Sequence, residues 1–160
     1  MKLRGVKVKD GVIDLFDERI VLMPPNIIDL LAQVYGEGSK SLLIFLGKKM
    51  GRKMIENWEE HLRPKTLEQL TNIFTSFMST AGWGQIETVK VTEEEIILRV
   101  YNVVSTKLST PTKHICYFLS GNFSGFGEFA LYRAQVDETK CMIEDPSIDY
   151  CEFSIKKREE

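Results

Sequence analysis

The sequence predicts an α+β domain in which helices pack on one face of an antiparallel sheet. Three observations carry that prediction. Residues 39–62 and 66–82 space their apolar side chains at helical intervals, whereas ETVKV, EEEIILRVYNVV and YCEFSIKK alternate with period two. The first two of these strand-like segments meet about a short polar turn at Thr92-Glu93-Glu94, as an antiparallel pair does. No internal repeat, low-complexity tract or linker interrupts the chain, so residues 1–160 read as one domain.

Taken in order, residues 5–23 read as a short hairpin, with GVIDLF and ERIVLM either side of a polar turn at Asp17-Glu18. Pro24-Pro25 ends it. Asn26 is placed to cap a helix running to about Tyr35, which Gly36-Glu37-Gly38 stops. The long helix over Ser39–Leu62 sets an apolar stripe (Leu42, Phe45, Leu46, Met50, Met54, Trp58) beside a basic one. Gly47 and Gly51 share a face of it. Each costs about 1 kcal/mol against alanine in a helix, which predicts that another backbone comes close there. Pro64 breaks this helix and Thr66 opens the next, with Leu67, Leu70, Ile73, Phe74, Phe77 and Met78 on its apolar side up to Ala81-Gly82. Two strands then meet about a turn at Thr92-Glu93-Glu94. Residues His114–Leu131 return to helical spacing, with Gly121 and Gly125 again four apart, and Ala130–Met142 reads as a strand leading to the last one.

Composition bounds the function. Apolar and charged fractions of 43% and 28% are those of a soluble globule, and a formal charge of −2 gives no reason to expect nucleic acid or an anionic membrane as partner. The longest apolar runs, such as SLLIFLG, are too short to span a bilayer. The N-terminus MKLRGVKVKDG is charged and strand-like, unlike a signal peptide, and three cysteines cannot all pair within one chain. A reducing cytoplasm is therefore expected, with the cysteines free, metal-bound or redox-active.

Three thiols and one carboxylate can surround a zinc ion. Cys116 would come from the last helix, Cys141 from the end of one strand and Cys151 from the start of its neighbour. Glu138 precedes Cys141 by three positions, and strand residues so spaced face opposite ways, so the chain must bulge or turn at Thr139-Lys140 for both to bind. The alternative is three buried small hydrophobes, since the CxxC knuckle of a strong zinc signature is missing. His114 cannot readily share an ion with Cys116, because positions two apart on a helix point about 200° apart. Asp145 and Asp149 read as solvated loop acids.

These residues resemble the vinyl-4-reductase family, a small-molecule-binding domain. The likeness rests on Cys116, on Gly121 and Gly125, on Glu138 with Cys141, on Asp145-Pro146, and on Cys151-Glu152-Phe153. AGWGQIETVKV and LGKKMGRKM add to it, so that it covers about residues 10–157. It implies a fold similar to the ligand-binding fold of nitric-oxide-signalling and Golgi-transport (TRAPP-like) proteins. Phenol-sensing relatives hold zinc through three cysteines and a glutamate, which fall here on Cys116, Glu138, Cys141 and Cys151. Two departures stand out. Glu144 replaces the usual glycine before Asp-Pro, and Leu67-Glu68 and Val103-Val104 occupy the places of the phenol-gripping histidine and tryptophan, so phenol recognition does not carry over.

The function expected is therefore a non-catalytic, small-molecule-binding sensory domain with a structural zinc. Its apolar pocket would be lined by Phe45, Met54, Trp58, Phe74, Phe77, Trp83, Phe118 and Phe126 and would take an apolar or aromatic molecule. The family implies a homodimer, and any output would pass through a protein partner. The alternative is a reductase or accessory factor acting on a tetrapyrrole-like or aromatic substrate. GFGEFA (125–130) fits the dinucleotide fingerprint but falls late in a helix with no preceding strand. His61 and His114 read as surface groups, and Lys48, Lys49, Arg52 and Lys53 as a solvated face.

Overall fold

The computed structural model describes residues 5–108 and 112–159. The chain opens with a three-stranded antiparallel sheet, β1 (Val6–Lys9), β2 (Val12–Leu15) and β3 (Glu18–Ile20). Helices α1 (Asn26–Tyr35), α2 (Ser39–Leu62) and α3 (Leu67–Thr80) follow, with one 3-10 turn over Gly36–Gly38 between the first two. Strands β4 (Gln85–Val91) and β5 (Glu95–Tyr101) lead through a 3-10 turn at Val104–Lys107 to α4 (His114–Ala130). Finally come β6 (Ala134–Lys140) and β7 (Tyr150–Lys157). The second sheet has the order β4-β5-β7-β6, all antiparallel, so the C-terminal strand is interior. The predicted α+β class is the one observed.

Local chemistry explains the boundaries. Thr66 caps α3 by accepting a hydrogen bond from the Gln69 amide at 3.1 Å. In β5 the alternation is clean: Ile96, Leu98 and Val100 are fully buried, while Arg99 and Tyr101 face outward. Each such side chain contributes about 1.5–3 kcal/mol on burial. β7 turns Cys151, Phe153 and Ile155 to the same core. Four expectations need correction. The N-terminal hairpin is a three-stranded meander, because Asp10 and Gly11 both take positive φ (49° and 77°) and make a tight turn that adds β1. Its second turn falls at Phe16-Asp17, one position early. Pro25, and not Asn26, sits at the cap of α1, and β6 starts at Ala134 after a turn at Leu131–Arg133.

The two glycine pairs meet. A Cβ on Gly121 would lie 3.0 Å from the Gly47 Cα and against the Ile44 carbonyl, and one on Gly51 would press on the Asn122 backbone. α2 and α4 therefore cross backbone to backbone, the close approach predicted for Gly47 and Gly51. On its other side α4 lies on β6 and β7. Gly127 belongs to this second contact: a Cβ there would come 2.9 Å from the Ala134 Cβ. The fingerprint-like glycines of GFGEFA thus serve helix packing.

Candidate metal centre

Cys116 lies in the first turn of α4, and the start of that helix is fixed from outside. His114 Nδ1 is hydrogen-bonded to Asp29 Oδ1 of α1 at 2.6 Å, and Thr112 Oγ1 donates to the same oxygen at 2.9 Å. His114 is therefore a half-buried interhelical contact, which corrects its reading as a surface group. His61 does sit at the exposed end of α2, with Nδ1 2.9 Å from the Asn57 carbonyl oxygen.

Glu138 and Cys141 are brought to one side by an irregularity in the β6–β7 pairing between Glu138 and Lys140, where the sequence required one. Thr139, the extra residue, donates its hydroxyl to Glu152 Oε1 at 2.9 Å on the outer face of the sheet. Cys141 then starts a tight turn whose amides at Glu144 and Asp145 both donate to its carbonyl (3.1 and 2.9 Å). Asp145 closes its own turn by accepting from the Ser147 amide and hydroxyl, and takes no part in the cluster. Cys151 returns at the start of β7.

One donor atom from each of Cys116, Glu138, Cys141 and Cys151 lies within 4.8 Å of all the others. Tetrahedral zinc with sulfur at about 2.3 Å needs sulfurs about 3.8 Å apart, a small contraction. The surroundings suit an ion. Glu138 Oε1 is buried without any hydrogen-bond partner, a condition that costs about 1–3 kcal/mol unless something coordinates it. Its other oxygen meets Lys113 Nζ at 3.0 Å, and that ammonium also holds Glu144 at 3.0 Å. Burial works against the charge on Lys113, yet these carboxylates hold its pKa well above the ordinary lysine value. Backbone amides of Ile143 and Glu144 point to the Cys141 sulfur, and that of Met142 to Cys151. Burial pushes the Cys141 thiol up to about 11. The hydrogen bond between Cys116 and Cys151 keeps the proton on Cys116 and holds Cys151 below its usual range. A cation is the partner that would satisfy the orphaned carboxylate oxygen and the crowded sulfurs at once.

The aromatic residues fall into separate places. Trp58, Phe74, Phe118 and Phe126 are buried, and Met54, Phe77 and Trp83 partly so. Phe74 stacks on Phe126 at 4.4 Å, Trp58 meets Phe77 at 4.1 Å, and Trp83 meets Phe118 at 5.1 Å. Phe45 lies outside this group, 55% exposed, with the Lys49 ammonium over its ring. A feature that sequence reasoning missed is Ser105. Its hydroxyl is buried without a partner, in the 3-10 turn whose first amide, Val104, donates to the Trp83 carbonyl. No pattern in the sequence marks it.

No family model matches the chain, and no curated protein does. Solved structures share its fold. The phenol-responsive sensory domain of the transcription activator PoxR, solved with phenol, gives a TM-score of 0.80 at 12% identity, covering 96% of this chain and 85% of its own. A vinyl-4-reductase family protein from Methanocaldococcus jannaschii gives 0.57 at 21% identity over 91% and 87%. Trafficking protein particle complex subunit 3 from Naegleria fowleri, covalently bound to palmitic acid, gives 0.57 at 14% over 85% and 98%. An H-NOX domain from Shewanella oneidensis in the Fe(II)CO state gives 0.58 at 12% over 90% and 82%. The resemblance read from the sequence thus has a counterpart in a solved member of that family, and the fold extends to both further groups expected.

Proposed function

We propose that this chain is a non-catalytic, small-molecule-binding sensory domain whose C-terminal third is pinned by one structural zinc on Cys116, Glu138, Cys141 and Cys151. The observation that carries the metal is the convergence of four donors from α4, β6, the following turn and β7, with Glu138 Oε1 buried and unpartnered among them. Four protein donors leave no open position, so the ion would neither activate water nor polarise a substrate. It would tie the start of α4 to the final hairpin. Three thiolates and a carboxylate around a divalent ion leave a charge near −2, and Lys113 is placed to offset part of it.

The sensory part of the reading rests on the fold shared with the PoxR domain along nearly the whole chain. The ligand would be an apolar or aromatic molecule held among Met54, Trp58, Phe74, Phe77, Trp83, Phe118 and Phe126. The unpartnered hydroxyl of Ser105, next in the chain to Val104, whose amide donates to the Trp83 carbonyl, would suit a single polar group on it. A homodimer would cover the apolar outer face of α1, and output would pass to a protein partner in the cytoplasm. Among the described residues no helix is long and apolar enough to cross a membrane.

Native mass spectrometry of the purified chain is the test. It should find about one zinc per chain, a dimer and a co-purified small molecule, and Cys151→Ala should lose both the metal and several degrees of melting temperature. A wild-type chain that stays fully folded after exhaustive chelation overturns the structural-zinc reading.

A further inference from the structure

The two oxygens of Glu138 face different surroundings. Oε2 meets the Lys113 ammonium at 3.0 Å, whereas Oε1, among the described residues, is buried without a hydrogen-bond partner. Lys113 stands at the start of α4, where the Tyr117 amide donates to its carbonyl at 2.9 Å. Its side chain and that of Cys116, three positions on, therefore emerge on the same side of the first turn. The same ammonium meets Glu144 Oε1 at 3.0 Å, and the Glu144 amide donates to the Cys141 carbonyl at 3.1 Å. One lysine thus links the three segments that supply Cys116, Glu138 and Cys141. Lys140, the lysine next to Cys141, is engaged elsewhere, donating to the Tyr150 hydroxyl at 3.0 Å. A carboxylate beside a divalent ion can bind through either oxygen, through both, or turn away. With Oε2 held by Lys113, Glu138 has one oxygen left to give, which keeps the coordination at four.

We propose that Lys113 is a positioning residue of the metal centre, fixing Glu138 as a donor through Oε1 alone, and that Glu144 holds Lys113 in place for this. The inference rests on the zinc reading above and adds how the fourth donor is aimed. Lys113 is not a donor to the ion and acts through Glu138. That separates it from a lysine whose charge acts on the site directly. A direct charge effect persists when the Glu138 carboxylate is removed. An aiming effect vanishes with it.

The experiment is a zinc affinity for the purified full chain, by competition with a chromogenic chelator at one pH and ionic strength. Lys113→Met, which keeps the apolar stem, should weaken zinc binding about 10–100-fold, the usual loss when a ligand's supporting contact is removed. In a Glu138→Ala chain the same substitution should change the affinity by less than about threefold. Glu144→Ala, at an exposed position, should weaken binding about three- to tenfold and have no further effect in a Lys113→Met chain. It reads the same line of contacts should Lys113→Met not fold. Wild-type affinity in both single variants overturns the proposal, as does a loss from Lys113→Met that is equal with and without Glu138. The two readings fail separately. A wild-type chain that takes up no zinc sinks the metal centre and this inference together, whereas zinc bound equally well by wild type, Lys113→Met and Glu144→Ala sinks this inference alone.

Discussion

Helices α1 and α4 are both rich in apolar residues, yet they end in opposite surroundings. Of the 17 residues of α4, ten are buried, pressed between α2 on one side and the β6–β7 hairpin on the other. In α1 only Ile28 and Ala32 are buried, while Leu30, Leu31, Val34 and Tyr35 face outward at 38–89% exposure. Val21, Leu22 and Met23, just before it, are exposed as well. The difference teaches where this fold is self-sufficient. Around α4 the chain supplies its own cover, by glycine contacts and by the cysteine cluster. Around α1 it leaves a contiguous apolar strip of the kind that marks an interaction face.

The largest expected effect tests the self-sufficient side. Gly121→Val places branched carbons against the Ile44 carbonyl and the Gly47 Cα, atoms of another helix backbone that cannot swing aside. Overpacking of this kind costs about 3 kcal/mol or more, and urea denaturation should show it as a lower midpoint with an unchanged slope. A Gly121→Val chain as stable as the wild type would mean that α2 and α4 are not held at glycine distance.

The other side predicts a smaller and different change. Val34 is 89% exposed, so Val34→Asp should alter the melting temperature little, within about 0.5 kcal/mol of stability. If a second copy covers α1, the same substitution should weaken self-association at least about tenfold, measured by light scattering across a dilution series. A wild-type chain that is monomeric at every concentration removes the second copy as the cover for α1, and with it the homodimer proposed above.

How much of this was legible in the sequence depends on what each feature needed. The helices over 39–62 and 67–80 were readable because their apolar spacing spans many turns and their ends carry Gly38, Pro64 and the Thr66 cap. The glycine seam was readable as a cost that only close packing repays, though not which helix would come close. The bulge beside Thr139 followed from parity alone, since Glu138 and Cys141 cannot share a side without it. The strand-like character of the N-terminus was legible, but its pairing with β2 was not, although Asp10-Gly11 is a strong hairpin signal, because the lysines of VKVK leave a strand exposed on nearly every residue with no apolar face to assign. The Asp29–His114 contact and the buried Ser105 hydroxyl had no local signal. Each depends on elements that the chain brings together only on folding, as the 85-residue separation of the first pair shows.

A third surface, the outer face of the main sheet, lies between these extremes, and its expected effect is the smallest. Among the described residues it is covered neither by a helix nor by an apolar strip, but by its own ion pairs. Arg99 binds Glu152 at 2.8 Å and lies over the Tyr150 ring, while Glu95 binds Lys90 at 2.7 Å and accepts the Ser154 hydroxyl at 2.8 Å. The bond from Lys90, with that from Ser154, holds the Glu95 carboxyl below the ordinary glutamate value against a small opposing effect of burial. A carboxylate lowered by folding stabilises the native state above its unfolded pKa of about 4.3, and that contribution disappears as pH falls through the lower folded value. Wild type should therefore lose melting temperature more steeply than Glu95→Gln below about pH 4.5, with the two curves parallel from pH 6 to 8. Because both chains carry the same cysteine cluster, acid loss of any bound metal cancels in the comparison. Because Glu95 is only partly buried and its lysine partners are exposed, the divergence should be small and should shrink further in about 1 M salt, where exposed pairs are screened. Curves that stay parallel down to pH 3 would show that the outer sheet face draws no stability from these pairs, and would place it beside α1 as a surface waiting for a partner.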